Sequence, residues 1–170
     1  MRLFPYHSGE SAVFVKCEYL QPGGSYKIRG VKEFVATLSP GVRTIQCLSA
    51  GNMARTLALV ANPFGLTIRA LVPDSIPTVK EEALQSLGVK LTRLPMEELW
   101  NYVEHPDRLV NNLDAAQEAL LHPTVSSALT EGYQSLADEI QQQLPTVGSV
   151  YIPFGVGGLA LATARRLKEI

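Results

Sequence analysis

With 170 residues, 46% of them hydrophobic and 18% charged, the chain has the apolar content of a packed globular protein and the length of one ordinary domain or two small lobes sharing a cleft. A formal net charge of −1, with no long basic or acidic block, argues against nucleic acid or an anionic membrane as partner. No apolar run reaches the ~18 residues that span a bilayer, and the N-terminus lacks the charged stretch and apolar core of a signal peptide, so a cytoplasmic location is expected.

In chain order, residues 12–18 (A-V-F-V-K-C-E) mix β-branched and aromatic side chains and predict a strand. Pro22-Gly23-Gly24 then predicts a turn, with Ser25 capping a helix that runs to about Leu38, where Ser39-Pro40-Gly41 stops it. A short buried strand is expected over 44–48 and an Ala/Leu/Met-rich helix over 52–61, ended by Asn62-Pro63 with Gly65 close behind. A strand follows over 67–72, then a helix over 78–87 closed by Gly88, then a strand over 89–94. Residues 97–103 and 114–120 read as helical. Residues 131–144 form an amphipathic helix, with Tyr133, Leu136, Ala137, Ile140 and Leu144 on one face. A strand over 149–153 and a last helix from Gly157 to Ile170 complete the pattern. Strands separated by helices of this length predict an α/β protein with an open parallel sheet and right-handed crossovers. Cys17 and Cys47 sit in apolar runs, as buried free thiols or, alternatively, a disulfide. They share no metal-ligand spacing with His7, His105 or His122, so no metal site is expected.

Three segments carry the chemistry, each expected at the carboxyl end of a strand, where ligands bind in open parallel sheets. The first is Gln21-Pro22-Gly23-Gly24-Ser25-Tyr26-Lys27-Ile28-Arg29-Gly30. Glycines and an aromatic around Lys27 suggest an amine close to bound material. An amine is nucleophilic only when neutral, a state favoured by partial burial or by a neighbouring cation such as Arg29 or Lys32. The plainer alternative is a turn followed by a helix with a solvated lysine. The second segment is Ser49-Ala50-Gly51-Asn52, whose backbone N–H groups, hydroxyl and amide suit a carboxylate, or else form an ordinary helix cap. The third is Gly155-Val156-Gly157-Gly158-Leu159. There successive N–H groups and a helix N-terminus suit a phosphate, unless the glycines serve only packing. No Gly-Lys-Ser/Thr follows, so this is not the nucleotide P-loop. A phosphate and a lysine together suggest a phosphorylated aldehyde bound as an imine.

Ser25-Tyr26-Lys27-Ile28-Arg29-Gly30, Ser49-Ala50-Gly51-Asn52 and the 155–159 loop, in this order, resemble the fold-type-II pyridoxal-phosphate enzymes, such as threonine dehydratase, serine racemase and threonine synthase. Val72-Pro73-Asp74 with Lys80 downstream, and Glu131-Gly132-Tyr133-Gln134, extend the resemblance. It implies the tryptophan synthase beta-like fold, a three-layer open parallel sheet, with pyridoxal 5'-phosphate as cofactor. By the same resemblance Lys27 is the Schiff-base lysine and the base at the substrate Cα. Asn52 faces the cofactor's ring hydroxyl. The Gly155, Val156, Gly157, Gly158 and Leu159 backbone holds the phosphate, and Ser49, Ala50, Gly51, Asn52 and Met53 hold the carboxylate of a small amino acid. The implied reaction is a lyase or dehydratase one, turning a β-hydroxy amino acid into a 2-oxo acid and ammonia. The Ser-Tyr-Lys-Ile-Arg-Gly form leans towards the dehydratase and racemase branch.

Met53 departs from the histidine common in dehydratases, and Phe154 and Val156 interrupt a glycine run. Val156 also disfavours the positive φ that an anion nest needs. Family members continue for well over a hundred residues past the phosphate loop, so the resemblance implies a small domain at 44–129 and an incomplete large one at 1–43 and 130–170. Roughly 80 residues of half-domain is marginal for a stable core and leaves edges to cover. A homo-oligomer or a complementing chain is therefore expected. The alternatives to an active enzyme are an inactive binding or interaction module, half of a split enzyme, or an excerpt of a longer one.

Overall fold

The computed structural model describes residues 3–8 and 11–170. The chain opens with a hairpin of β1 (Leu3–Ser8) and β2 (Ser11–Lys16), paired antiparallel from Leu3↔Lys16 to Ser8↔Ser11. The strand expected over 12–18 thus ends earlier, because Glu18 opens a 3-10 turn over Glu18–Leu20. Its partner β1 was not anticipated, since Pro5 marks that segment as a poor strand unless it lies at an edge. The hairpin is separate from the parallel sheet. Lys27 therefore does not follow a parallel strand, contrary to expectation.

The main sheet is four-stranded and parallel, in the order β5 (Lys90–Leu94), β4 (Thr67–Pro73), β3 (Thr44–Leu48), β6 (Glu118–Leu121). Ile45 lies opposite Ile68 on one side and Ala119 on the other. Ala70, Leu71 and Val72 are consecutive and all buried, as in a central strand covered on both faces. Residues 114–120, expected to be helical, instead form a turn and β6. Asp114 organises the turn, its side chain accepting from the Ala116 N–H at 3.1 Å. Ala and Leu favour helix locally, but pairing with β3 decides the outcome. At the other end, residues 149–153 are not a strand. They have no ladder partner among the described residues; Val150 and Ile152 pack against the core while Tyr151 is exposed.

Among the described residues, seven α-helices accompany these strands: α1 (Lys27–Ala36), α2 (Asn52–Ala61), α3 (Thr78–Gln85), α4 (Met96–Glu104), α5 (Asp107–Val110), α6 (Ser127–Gln143) and α7 (Gly158–Glu169). One continuous core joins Val31 and Phe34 of α1, Leu57 of α2, Ile45 of β3, Leu136 of α6 and Ala162 of α7. Leu71, Leu99 and Leu109 form a smaller cluster between the sheet and α4–α5. Both cysteines are free and buried, and burial pushes the Cys47 thiol up to about 12. Among the described residues, no helix is long and apolar enough to cross a membrane.

The tightest contact is between α1 and α6. A Cβ on Gly132 would lie 2.5 Å from the Arg29 carbonyl oxygen and 2.6 Å from Gly30 Cα. A Cβ on Gly30 would lie 2.7 Å from the Leu129 carbonyl oxygen. Backbone atoms cannot swing aside, so only glycine fits at either position. Gly132→Ala is expected to lower stability by about 1–3 kcal/mol in urea unfolding, through overpacking. Gly148→Ala, where an added Cβ meets nothing within 4 Å, should stay within about 0.5 kcal/mol.

Candidate functional site

Lys27 is presented by a turn and the helix start that follows it. Gly24 N–H donates to the Gln21 carbonyl at 2.8 Å, closing a β-turn with Pro22 and Gly23 at its centre. Gly23 has φ +84°, and a Cβ there would sit 2.6 Å from Thr56 Oγ1, so the turn needs glycine both for its shape and to seat on α2. Ser25 Oγ accepts from the Lys27 N–H at 3.4 Å, the service a cap residue gives, although the cap position itself falls on Tyr26. The half-buried Lys27 side chain places Nζ 4.7 Å from the Tyr26 ring centroid and 5.9 Å from that of Tyr133. The two rings meet edge to face at 5.2 Å. This is cation–π geometry, and it holds the amine beside two aromatic walls.

Arg29 does not serve the lysine. Its guanidinium turns to the opposite side and gives all five N–H donors to protein. Nε and Nη2 reach Glu18 at 2.8 and 2.9 Å, Nη1 and Nη2 reach Glu139 at 2.8 and 2.9 Å, and Nη1 reaches Ser135 Oγ at 3.0 Å. Lys16 Nζ adds a contact to Glu139 at 2.6 Å. Burial works against the Arg29 charge, but the bonds to both carboxylates outweigh it and raise its pKa. Lys32 is exposed.

Lys27 and Tyr26 open into a cleft of ≈ 110 Å³, shared with Met53, Pro123, Tyr133 and the loop of Gly155, Val156, Gly157, Gly158 and Leu159. The loop leads into α7. Its positive φ, +90°, falls on Gly157, which is the α7 cap residue, and Val156 avoids that strain. No side chain caps α7, so the N–H groups of Gly158, Leu159 and Ala160 have no acceptor within the helix.

The expected substrate loop behaves differently. Ser49 Oγ accepts from the Gly51 N–H at 3.2 Å, and Gly51 is the α2 cap residue without a side-chain bond. Neither Ser49 nor Asn52 caps the helix. Asn52 is exposed, and of Ser49, Ala50, Gly51, Asn52 and Met53 only Met53 lines the cleft with Lys27.

His122 and Tyr133 carried no site role in the sequence reading. Buried His122 accepts at Nδ1 from the Thr124 N–H at 3.3 Å, so its proton lies on Nε2 and is donated to the Tyr102 carbonyl at 3.1 Å. Burial lowers its pKa, opposed by the Tyr102 bond. The turn it braces sets the Pro123 carbonyl 3.6 Å from where a Cβ on Gly158 would stand. Tyr133 is reached only through the close passage of α6 over α1.

A lysine amine and a glycine-rich helix start face one cleft. The chain belongs to the pyridoxal-phosphate dependent enzyme family, whose model matches residues 2–170. It is similar to the serine racemase of Homo sapiens, 27% identical over 168 residues, covering 93% of this chain and 47% of that protein. It is also similar to the biosynthetic L-threonine dehydratase of Pasteurella multocida, 29% identical over 160 residues, covering 93% of this chain and 30% of that protein. Among solved structures, the O-acetylserine dependent cystathionine beta-synthase from Helicobacter pylori superposes with a TM-score of 0.84 at 27% identity, over 99% of this chain and 59% of that one. The chain thus spans about half the length of such relatives or less.

Pyridoxal phosphate is the cofactor this membership indicates. The residues present fit its two ends: a lysine amine for the aldehyde, and uncapped N–H groups for the phosphate, in a cleft also lined by Tyr133, whose buried hydroxyl has no partner among the described residues. The volume, well below the ~300 Å³ of ordinary ligand pockets, suits those ends better than a whole cofactor with its substrate.

Glu139 gives a pH test of the frame behind the site. The Arg29 hydrogen bonds lower its pKa to about 2 from 4.5, against burial and with help from Lys16. Its stabilisation is full above the unfolded value and drains as pH falls from 4.5 towards about 2. Glu139→Gln should flatten the loss of unfolding free energy across that window, measured by urea titration at stepped pH.

Proposed function

We propose that this chain carries the lysine-bearing and phosphate-binding part of a pyridoxal-phosphate-dependent lyase or racemase acting on a small, hydroxylated amino acid. One observation carries the reading: the Lys27 side chain and the α7 start line the same cleft. The names of the similar proteins, a serine racemase and a threonine dehydratase, support the substrate class. When bound, the cofactor supplies an electron sink for negative charge at the substrate Cα.

In this reading Lys27 would hold the cofactor through its Nζ, and the same amine would move the substrate Cα proton. The backbone of Gly155, Val156, Gly157, Gly158 and Leu159 binds the phosphate with the α7 dipole behind it. Asn52, exposed at the start of α2 and outside the cleft as it stands, would be the partner of the ring hydroxyl that the resemblance implies. The uncapped α2 start, with Ser49, Ala50, Gly51 and Met53, takes the substrate carboxylate. Residues 44–129 act as the small domain, and 1–43 with 130–170 as part of the large one. A second copy or a complementing chain would complete the enclosure. A non-catalytic binding module is the second reading, favoured by apolar Met53 in the cleft and by its small volume.

Mixing the protein with pyridoxal phosphate should give the visible band near ~410 nm of lysine-bound cofactor, absent in Lys27→Ala. A well-folded protein with no band would overturn the reading. Given the band, release of 2-oxo acid from serine or threonine separates catalysis from binding alone.

A further inference from the structure

Three buried side-chain oxygens have no hydrogen-bond partner among the described residues: Thr56 Oγ1, Tyr133 Oη and Thr163 Oγ1. Of these residues only Tyr133 lines the cleft. Its side chain is 3% exposed, so water does not routinely serve the hydroxyl. Leaving such a group unmet costs about 1–3 kcal/mol. A phenylalanine at this place on α6 would fill the same space without that cost.

Four contacts locate the ring. It sits edge to face with Tyr26, with centroids 5.2 Å apart, and its centroid is 5.9 Å from Lys27 Nζ. Cε1 would be 2.7 Å from a Cβ on Gly30, so the ring is pressed onto the α1 backbone. Cε2, on the other edge, would be 3.9 Å from a Cβ on Gly158, the first residue of α7. The hydroxyl sits between these two edges, on the carbon they share. The ring thus lines the cleft with its Cε2 edge towards the α7 start, where Gly158, Leu159 and Ala160 have N–H groups without helical acceptors. Desolvation raises the phenol's pKa, with a further rise from Tyr26, so the group remains an O–H donor at neutral pH. The uncapped N–H groups and the phenol O–H are donors without acceptors, so the partner that would serve them together is an acceptor with several oxygens.

We infer that Tyr133 is a phosphate-binding residue, its hydroxyl donating a hydrogen bond to a phosphate monoester held at the N-terminus of α7. This deepens the cofactor reading, on which it rests for the identity of the monoester, by adding a side-chain donor to a site otherwise built from backbone. Its benefit is selective: the bond forms only when the anion is present.

The test compares the wild-type protein with Tyr133→Phe, which keeps the ring, its packing and its contact with Tyr26. The dissociation constant of inorganic phosphate is measured by titration followed by phosphorus NMR, and the ~410 nm band by titration with pyridoxal phosphate. Loss of one hydrogen bond to an anion should weaken phosphate binding by about tenfold or more. In phosphate-free buffer the variant's thermal midpoint should be unchanged or higher, because an unmet polar atom has been removed. A purely structural hydroxyl would lower that midpoint, and a lower midpoint with unchanged phosphate affinity overturns the inference. Equal phosphate affinity and equal bands in both proteins also overturn it, while leaving the cofactor reading in place. Weaker phosphate binding in the variant, with no band in either protein, upholds the inference and removes the cofactor reading. No phosphate binding by the wild type rejects the inference outright.

Discussion

The backbone contact of α1 with α6 is the constraint on which the rest depends. Two glycines, Gly30 and Gly132, let the helices approach until each backbone touches the other. Such an approach has little side-chain area of its own, and the Arg29 network bolts it from the side. A buried guanidinium is tolerable only when its donors are met, and Glu18, Ser135 and Glu139 meet them from two other segments. Any slide of α6 along α1 would break several charge-assisted bonds together. The passage also delivers the site, since Lys27 precedes Arg29 by two residues and Tyr133 follows Gly132 directly. The aromatic walls around Nζ are therefore fixed by the same contact that joins the helices.

Much of the parallel sheet and its helices is legible in the sequence because local preference and burial agree there. Residues 44–48 and 67–72 are short, apolar and flanked by breakers, and both are central strands. The helix over 52–61 carries good helix formers and stops at Asn62-Pro63 as propensity dictates. The failures lie where tertiary contacts overrule local preference. Ala119-Leu120-Leu121 would suit a helix in isolation, but β3 has an open side and takes them as β6. Residues 149–153 have a strand's composition and alternate exposed and partly buried side chains, yet no described neighbour stands alongside them to form a ladder. The hairpin strand β1, with Pro5 inside it, has a composition that argues against its own conformation.

The candidate site is legible to a different degree. The run around Lys27 and the glycines at 155–158 announce themselves by unusual composition, and the fold brings them to one cleft. In the sequence Arg29 is a potential neighbour of the lysine. Its real partners Ser135 and Glu139 lie 106 and 110 residues away, a separation no local pattern encodes. Tyr133 signals itself as an apolar position on an amphipathic helix and as part of the Glu131-Gly132-Tyr133-Gln134 run, neither of which shows its second property, a polar tip without a partner among the described residues. The Ser49–Asn52 stretch shows the reverse, a strong pattern whose side chains stand apart from the lysine's cleft.

The two thiols have a practical bearing on how this protein can be studied. Cys17 and Cys47 are almost wholly shielded, and Cys47 stays protonated far above neutral pH. Thiolate is the reactive form, so an electrophilic dye meets neither sulfur while the core is closed. Uptake of such a dye therefore reports excursions of the core itself. Because Cys47 lies on β3, at the centre of the sheet, the slower labelling phase times the opening of the scaffold beneath the cleft.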